Sequence, residues 1–283
     1  MKNFHYYRRK WTNRIFLFLC ALACLASVAV LGLLLGYVVY QGASAIHWGF
    51  FTQLPAPVGE SGGGMANAII GTLILVAIAS TLGVPIGIAS GLYLAEYGRG
   101  RFAALVRYVT DVLSGLPSII MGLFAYALIV IPMRGFSGLA GGVALSLLMI
   151  PVIVRTTEEV VKLVPNSLRE GALALGIPQW KVVLRIVLST AKGGIVTAVI
   201  LAVARIMGET APLLFTSFGN PFWQTNPLQP MAAMTLQIFA YAISPYDDWH
   251  AMAWAGALVL VTMSLIFNII ARFFTIRGLK KSS

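Results

Sequence analysis

Apolar residues run along this chain in blocks long enough to cross a bilayer, and polar residues are confined to the stretches between them. The blocks fall at 15–40, 66–97, 112–131, 136–154, 193–218 and 252–273. A spanning helix needs about 20 apolar residues, so the pattern predicts six transmembrane helices. The second block is longer than a span requires and contains Pro85, which predicts a kink or tilt. Residues 101–114 carry Arg107 and Asp111 one helical turn apart and read as an interfacial helix leading into the third span near Pro117. The basic start and the small residues Ala43, Ser44 and Ala45 imitate a cleaved leader. The first apolar block far exceeds the roughly 7–15 residues of a leader's core, so it is read as an uncleaved span.

Composition narrows the class. Of 283 residues, 59% are hydrophobic and 10% charged, too few polar groups to clothe a soluble domain. The expected fold is an all-α integral membrane protein with six transmembrane helices. Cys20 and Cys24, four apart inside the first block, are too few for a disulfide framework and read as lipid-facing or packing residues.

The net charge of +11 first suggests nucleic acid, but its placement gives another reason for it. Eighteen of the 20 Lys and Arg fall on one side of the predicted spans, Arg134 stands on the other, and Arg205 lies within a span. The positive-inside rule then puts both termini in the cytoplasm and leaves no charge that needs a nucleic-acid partner.

Two places carry candidate chemistry. The first is the long mixed-charge stretch 155–192, predicted to be cytoplasmic. Ser167 and Glu170 have capping-box spacing for a helix start. Gly176 suits its left-handed end, and Pro178 suits the first turn of the next helix. A helix of about two turns exposing Leu and Ala is not stable alone in water, so it must pack either on its own membrane domain or in a partner's groove. The second place is the fifth span. Arg205 and Glu209, four apart near its centre, share one helix face, and Pro212 predicts a kink or opening beside them. Each buried charge costs about 2.5–3.5 kcal/mol on insertion scales, so the pair is either a packing device or a polar point on a substrate path. A planar guanidinium with two parallel donors suits an oxyanion, and a carboxylate beside it keeps the anion from binding too tightly. Asp247, Asp248 and His250 read as a solvated turn and not as a metal site.

A resemblance sharpens both places. Glu170-Gly171-Ala172, three residues, Gly176, nine residues and Ile186-Val187-Leu188 resemble the cytoplasmic loop signature of ABC-importer permeases. The chain departs from that signature at Gly171 (usually Ala) and Ser189 (usually Pro). The stretches 116–124, 155–159 and 205–212 are similar to those of phosphate importer permeases of the PstA type. The resemblance implies a type-I importer permease fold over residues 66–273, preceded by a tail, first span and outer loop (1–65) and followed by a cytoplasmic tail (274–283). It implies a multi-pass subunit of the bacterial inner membrane, not itself an enzyme. Its partners would be a sister permease in a heterodimer, two copies of a cytoplasmic ATPase that uses the ATP, and a periplasmic phosphate-binding protein. In that reading Glu170, Gly171, Ala172 and Gly176 form the ATPase coupling loop. The sequence contains no G-x-x-x-x-G-K-[S/T] phosphate loop, so no cofactor is expected on this chain. The alternatives are a permease for another oxyanion such as sulfate or molybdate, a self-contained secondary carrier, and a scaffold that only recruits a partner.

Overall fold

A computed structural model describes residues 2–57, 60 and 62–280, with side chains described between 5 and 273. It is helical almost throughout. Among the described residues the only β-type contact is an isolated parallel bridge between Phe218 and Met231. In chain order the helices are α1 (Lys2–Gly42), α2 (Trp48–Thr52), α3 (Ala66–Glu96), α4 (Arg101–Gly115), α5 (Ser118–Ala125) and α6 (Ile131–Met133). They continue with α7 (Gly138–Lys162), α8 (Asn166–Ala174), α9 (Gln179–Val182), α10 (Leu188–Met207), α11 (Ala211–Leu214), α12 (Met234–Ala242) and α13 (Asp247–Lys280). The predicted C-terminal tail therefore begins as a continuation of α13, and its last three residues lie outside the described ones.

Among the described residues five helices are long and apolar enough to span a bilayer, and a sixth span is available if the bent pair α4 and α5–α6 counts as one. The bend is 110° and falls at Leu116-Pro117, which moves 112–115 out of the predicted third span and into α4. Pro117 lacks an amide hydrogen and pushes Leu116 into extended backbone, so the helix cannot run through. Single-turn π segments at Tyr126–Val130 and Val183–Val187 join α5 to α6 and α9 to α10. The second of these makes 179–207 one helix that passes straight through Ser189, where the loop signature would break it.

The core is built on α3 against α7. Gly83, Gly87 and Gly91 follow each other at four-residue spacing and let α7 approach closely. A Cβ on Gly87 would stand 2.7 Å from that of Ile153, and one on Gly91 2.6 Å from that of Thr157. Leu75, Ala79, Met149, Ile153, Ile206 and Leu213 fill the centre. By contrast α1 is exposed along most of its apolar length, Cys20 and Cys24 included; it docks on α13 near its end, where Val38 and Gly42 are buried and the Tyr37 ring meets Trp254 edge to face at 5.2 Å.

Four charges join α4 to α7; Arg155 stands 3.8 Å from Glu158, its neighbour three residues on, whereas Arg107 and Asp111 do not pair with each other. Arg107 pairs with Glu158 at 2.8 Å instead of with Asp111, and Asp111 pairs with Arg155. Lys162 reaches the same Glu158 at 2.6 Å. Arg107 also donates to the carbonyl of Leu94 at 2.9 Å near the end of α3. Helical spacing identifies neighbours on one helix, but here the partner helix supplies a nearer, more buried acceptor.

Candidate functional site

The predicted fifth span is the main correction to the sequence reading. It starts earlier, at Gln179, and ends at Met207, so Arg205 stands in the last turn of α10 and Glu209 just beyond it. The residue that would continue the ladder is Pro212, and the chain opens at Gly208–Thr210 before the short α11. Residues 219–251, expected as a plain outer loop, instead fold back inward. Ser137 at the start of α7 donates its amide to the carbonyl of Thr216, and α12 then begins deep, with the Met234 amide donating to Thr72 Oγ1 at 2.9 Å.

The depth of the break follows from helix arithmetic. Gly122 of α5 packs against Pro212 so closely that a Cβ there would stand 2.6 Å from the Pro212 Cα. Gly122 lies eleven residues before Met133 at the end of α6. At about 1.5 Å per residue that is roughly 16 Å inward. The hydrocarbon core is about 30 Å thick, so the opened backbone lies near its middle. Non-helical backbone at that depth is tolerated where it is buried in protein or lines a wet cavity.

At this break Arg205 Nε and Glu209 Oε1 stand 3.8 Å apart, an ion pair too long to be a hydrogen bond. The Arg205 side chain is 53% exposed and the Glu209 side chain 18%. The Arg205 side chain makes no hydrogen bond to any described residue, whereas Arg107 and Arg169 have their guanidinium groups engaged by carboxylates and carbonyls. A pair that fixed packing would be enclosed and hydrogen-bonded. This one leaves most of the guanidinium donors free, at a depth where lipid is a costly neighbour. Two contacts at the break were not visible in the sequence. Thr235 Oγ1 donates to the Glu209 carbonyl at 3.0 Å, and the Gly122 face receives Pro212.

The predicted loop residues lie apart from this break. The helix 179–207 alone is about 43 Å long at 1.5 Å per residue, and α8 precedes it. Glu170, Gly171 and Gly176 are exposed and Ala172 is buried. Gly176 takes φ +78°, the left-handed end expected of it. The capping box is not formed. Pro165 holds the N-cap position, α8 starts at Asn166, and no side chain caps its first turn. Proline's fixed φ starts the helix one residue before Ser167. Pro178 likewise sits at the N-cap of α9 and not in its first turn. The helix packs on its own domain through Ala172, against Val161, Val164 and Val182, yet leaves Leu168, Leu173 and Leu175 exposed. One face of α8 is thus held on its own membrane domain, and the other is exposed.

A Cβ on Gly171 would meet nothing within 4 Å. Gly171→Ala is therefore expected to stabilise α8 by up to about 1 kcal/mol. Amide exchange over 168–175 should slow about fivefold, and unchanged exchange would show that α8 is held from outside instead. Among the described residues no group of three or more His, Cys, Asp or Glu is placed to hold a metal. Asp247 and Asp248 open α13, where the helix dipole favours acidic side chains.

Residues 83–277 match the family described as binding-protein-dependent transport system inner membrane component. The chain is 45% identical over 265 residues to the phosphate transport system permease protein PstA of Yersinia pestis, covering 93% of this chain and 90% of that one. It is 46% identical over 275 residues to the PstA of Haemophilus influenzae, covering 96% and 97%. A probable PstA of Methanocaldococcus jannaschii is 33% identical over 262 residues, covering 92% of each. Among solved structures, a chain of the MetNI methionine ABC transporter in an inward-facing conformation superposes with a TM-score of 0.59 at 16% identity. That match covers 76% of this chain and 97% of that one, a likeness of fold.

Proposed function

This chain belongs to the binding-protein-dependent transport system inner membrane components and, within them, to the PstA-type phosphate permeases, and we propose that Arg205 and Glu209 stand on its substrate path. It is the membrane-spanning permease subunit of an ATP-driven phosphate importer; it is a transport subunit and not an enzyme, with hydrolysis in a separate ATPase. The observation that carries the site is the half-exposed Arg205 guanidinium, without a hydrogen-bond partner, beside the opening between α10 and α11.

In this reading the chain supplies one half of the path and a sister permease the other. The core at 66–273 is flanked by 1–65 and the tail 274–283, with both termini cytoplasmic as the distribution of Lys and Arg favours. The presented face of α8, with Glu170, Gly171, Ala172 and Gly176 in its frame, docks one of two copies of the ATPase. A periplasmic phosphate-binding protein delivers the anion, and the chain itself holds no nucleotide. Phosphate arriving at the break exchanges part of its hydration for the Arg205 fork. Two parallel charge-assisted hydrogen bonds hold two of its oxygens. Glu209 offsets part of the positive charge, so the anion can leave, and the helix opens beside the pair between α10 and α11. Purification of the chain with its neighbours tests the docking. A separate ATPase should remain bound in detergent, and its absence from every preparation would sink this assignment.

Glu209 also bears on selectivity. Hydrogen phosphate can donate a proton to a carboxylate, whereas sulfate at neutral pH has none to give. Glu209→Gln should weaken any preference for phosphate over sulfate in vesicle uptake by about tenfold, the order of one charge-assisted hydrogen bond. Undiminished discrimination would remove Glu209 from the selection.

A further inference from the structure

The side chain of Arg169 points away from the presented face of α8 and into the membrane domain. Its Nη2 donates to Glu96 Oε1 at 2.7 Å and to the Val161 carbonyl at 2.9 Å. Nε donates to the same carboxylate at 3.1 Å, and Nη1 to the carbonyl of Val164. Glu96 is the last residue of α3, Val161 lies in the last turn of α7, and Val164 follows just beyond its end. One guanidinium therefore joins three helix ends. The Glu96 carboxylate is 7% exposed and the Arg169 side chain 17%. A carboxylate at a helix C-terminus opposes the helix dipole, so Glu96 does nothing for α3 by itself. Its value lies in the partner it holds. The apolar anchor of α8 is slight, since Ala172 is its one buried residue.

From Glu96 the helix α3 runs unbroken to the other candidate site. Thr72 lies 24 residues back along it, about 36 Å at 1.5 Å per residue, and accepts from the Met234 amide. The next residue, Thr235, donates to the carbonyl of Glu209. We propose that Arg169 is a positioning residue that makes α8, α3 and α7 move as one body, with α3 as the rod that carries motion of α8 to the break at Glu209. This rests on the reading of α8 as the ATPase docking helix. The route is a continuous set of contacts, and the coupling along it is what the experiment measures.

The test uses the whole complex in vesicles, reading phosphate taken up per ATP hydrolysed. Arg169→Ala should leave the ATPase bound and hydrolysing while uptake per ATP falls about tenfold, an ordinary size for a coupling between sites. The second variant is Glu96→Cys with Arg169→Cys, in a chain where Cys20 and Cys24 are replaced by Ser. It should show the same fall, and a short bis-thiol linker across the two cysteines should restore uptake per ATP to within about twofold. The distinguishing readout is uptake per ATP falling while the ATPase stays bound and hydrolysing, because a merely stabilising contact would lose binding and hydrolysis together with uptake, and restoration by the linker then ties the fall to the joined helix ends. Loss of the ATPase from the Arg169→Ala complex, unchanged uptake per ATP, or a linker that restores nothing would each overturn the proposal. An unsubstituted complex that takes up no phosphate would instead overturn the reading on which it rests, and that result precedes any variant.

Discussion

Arg205→Ala is expected to lower phosphate uptake by about a hundredfold or more while the complex still assembles. The size follows from two charge-assisted hydrogen bonds, each about 1.5–3 kcal/mol, lost from the point where the anion sheds water. The sign is compounded by Glu209, which would then stand alone on the path and repel phosphate. Assembly should survive because the Arg205 side chain is half exposed and hydrogen-bonds to no described residue, so its removal leaves no described donor or acceptor orphaned. Arg205→Lys keeps the charge but loses the fork and should recover part of the uptake. The measurement is ATP-driven uptake beside the stoichiometry of the purified complex. Uptake at the ordinary rate in Arg205→Ala would assign the pair to packing.

Glu158→Ala should produce the largest loss of stability, about 3 kcal/mol. The Glu158 carboxylate is 3% exposed and is shared by Arg107 and Lys162, with Arg155 3.8 Å from its other oxygen. Removing one member of a buried ionic group costs about 3–5 kcal/mol, because the remaining charges are left unpaired. The lower end applies here, since the three cations are partly exposed and can turn toward water. For a chain of this size each kcal/mol moves the midpoint by about 2–4 °C, so the thermal transition should fall by roughly 6–12 °C. Scans must share one heating rate, because unfolding of a membrane complex is commonly irreversible. The exposed neighbour provides the control, and Glu159→Ala should change stability by less than about 0.5 kcal/mol. Equal effects of the two substitutions would remove the α4–α7 network from the account.

Much of this architecture was legible in the sequence, because a bilayer reduces it to long apolar runs and a charge bias. The break near Arg205 was legible through Pro212, whose missing amide acts wherever the residue sits. Where the helix resumes was not legible. That depends on Pro212 meeting Gly122 and on Thr235 reaching the Glu209 carbonyl, contacts between segments far apart in the chain. The inward fold of 219–251 was hidden for the same reason, since the bonds that draw it in come from α3 and α7, where Asn67 donates to the Asn220 carbonyl and the Gly138 and Leu139 amides to the carbonyls of Gln229 and Pro227. Local rules failed most clearly at Ser167 and Glu170, where the spacing was right for a cap but Pro165 had already started the helix. They failed again at Arg107 and Asp111, which are neighbours on one helix yet find their partners on another. Arg169 carried no signal at all, for nothing in its surroundings along the chain announces Glu96 73 residues earlier.

The central claim, an ATP-driven phosphate path through this subunit, is tested most directly by uptake of labelled phosphate into vesicles containing the assembled complex. The prediction is accumulation that requires ATP and the binding protein, resists an excess of sulfate and is lost with Arg205→Ala. Accumulation that proceeds without ATP, or that sulfate competes away in the unsubstituted complex, would contradict it.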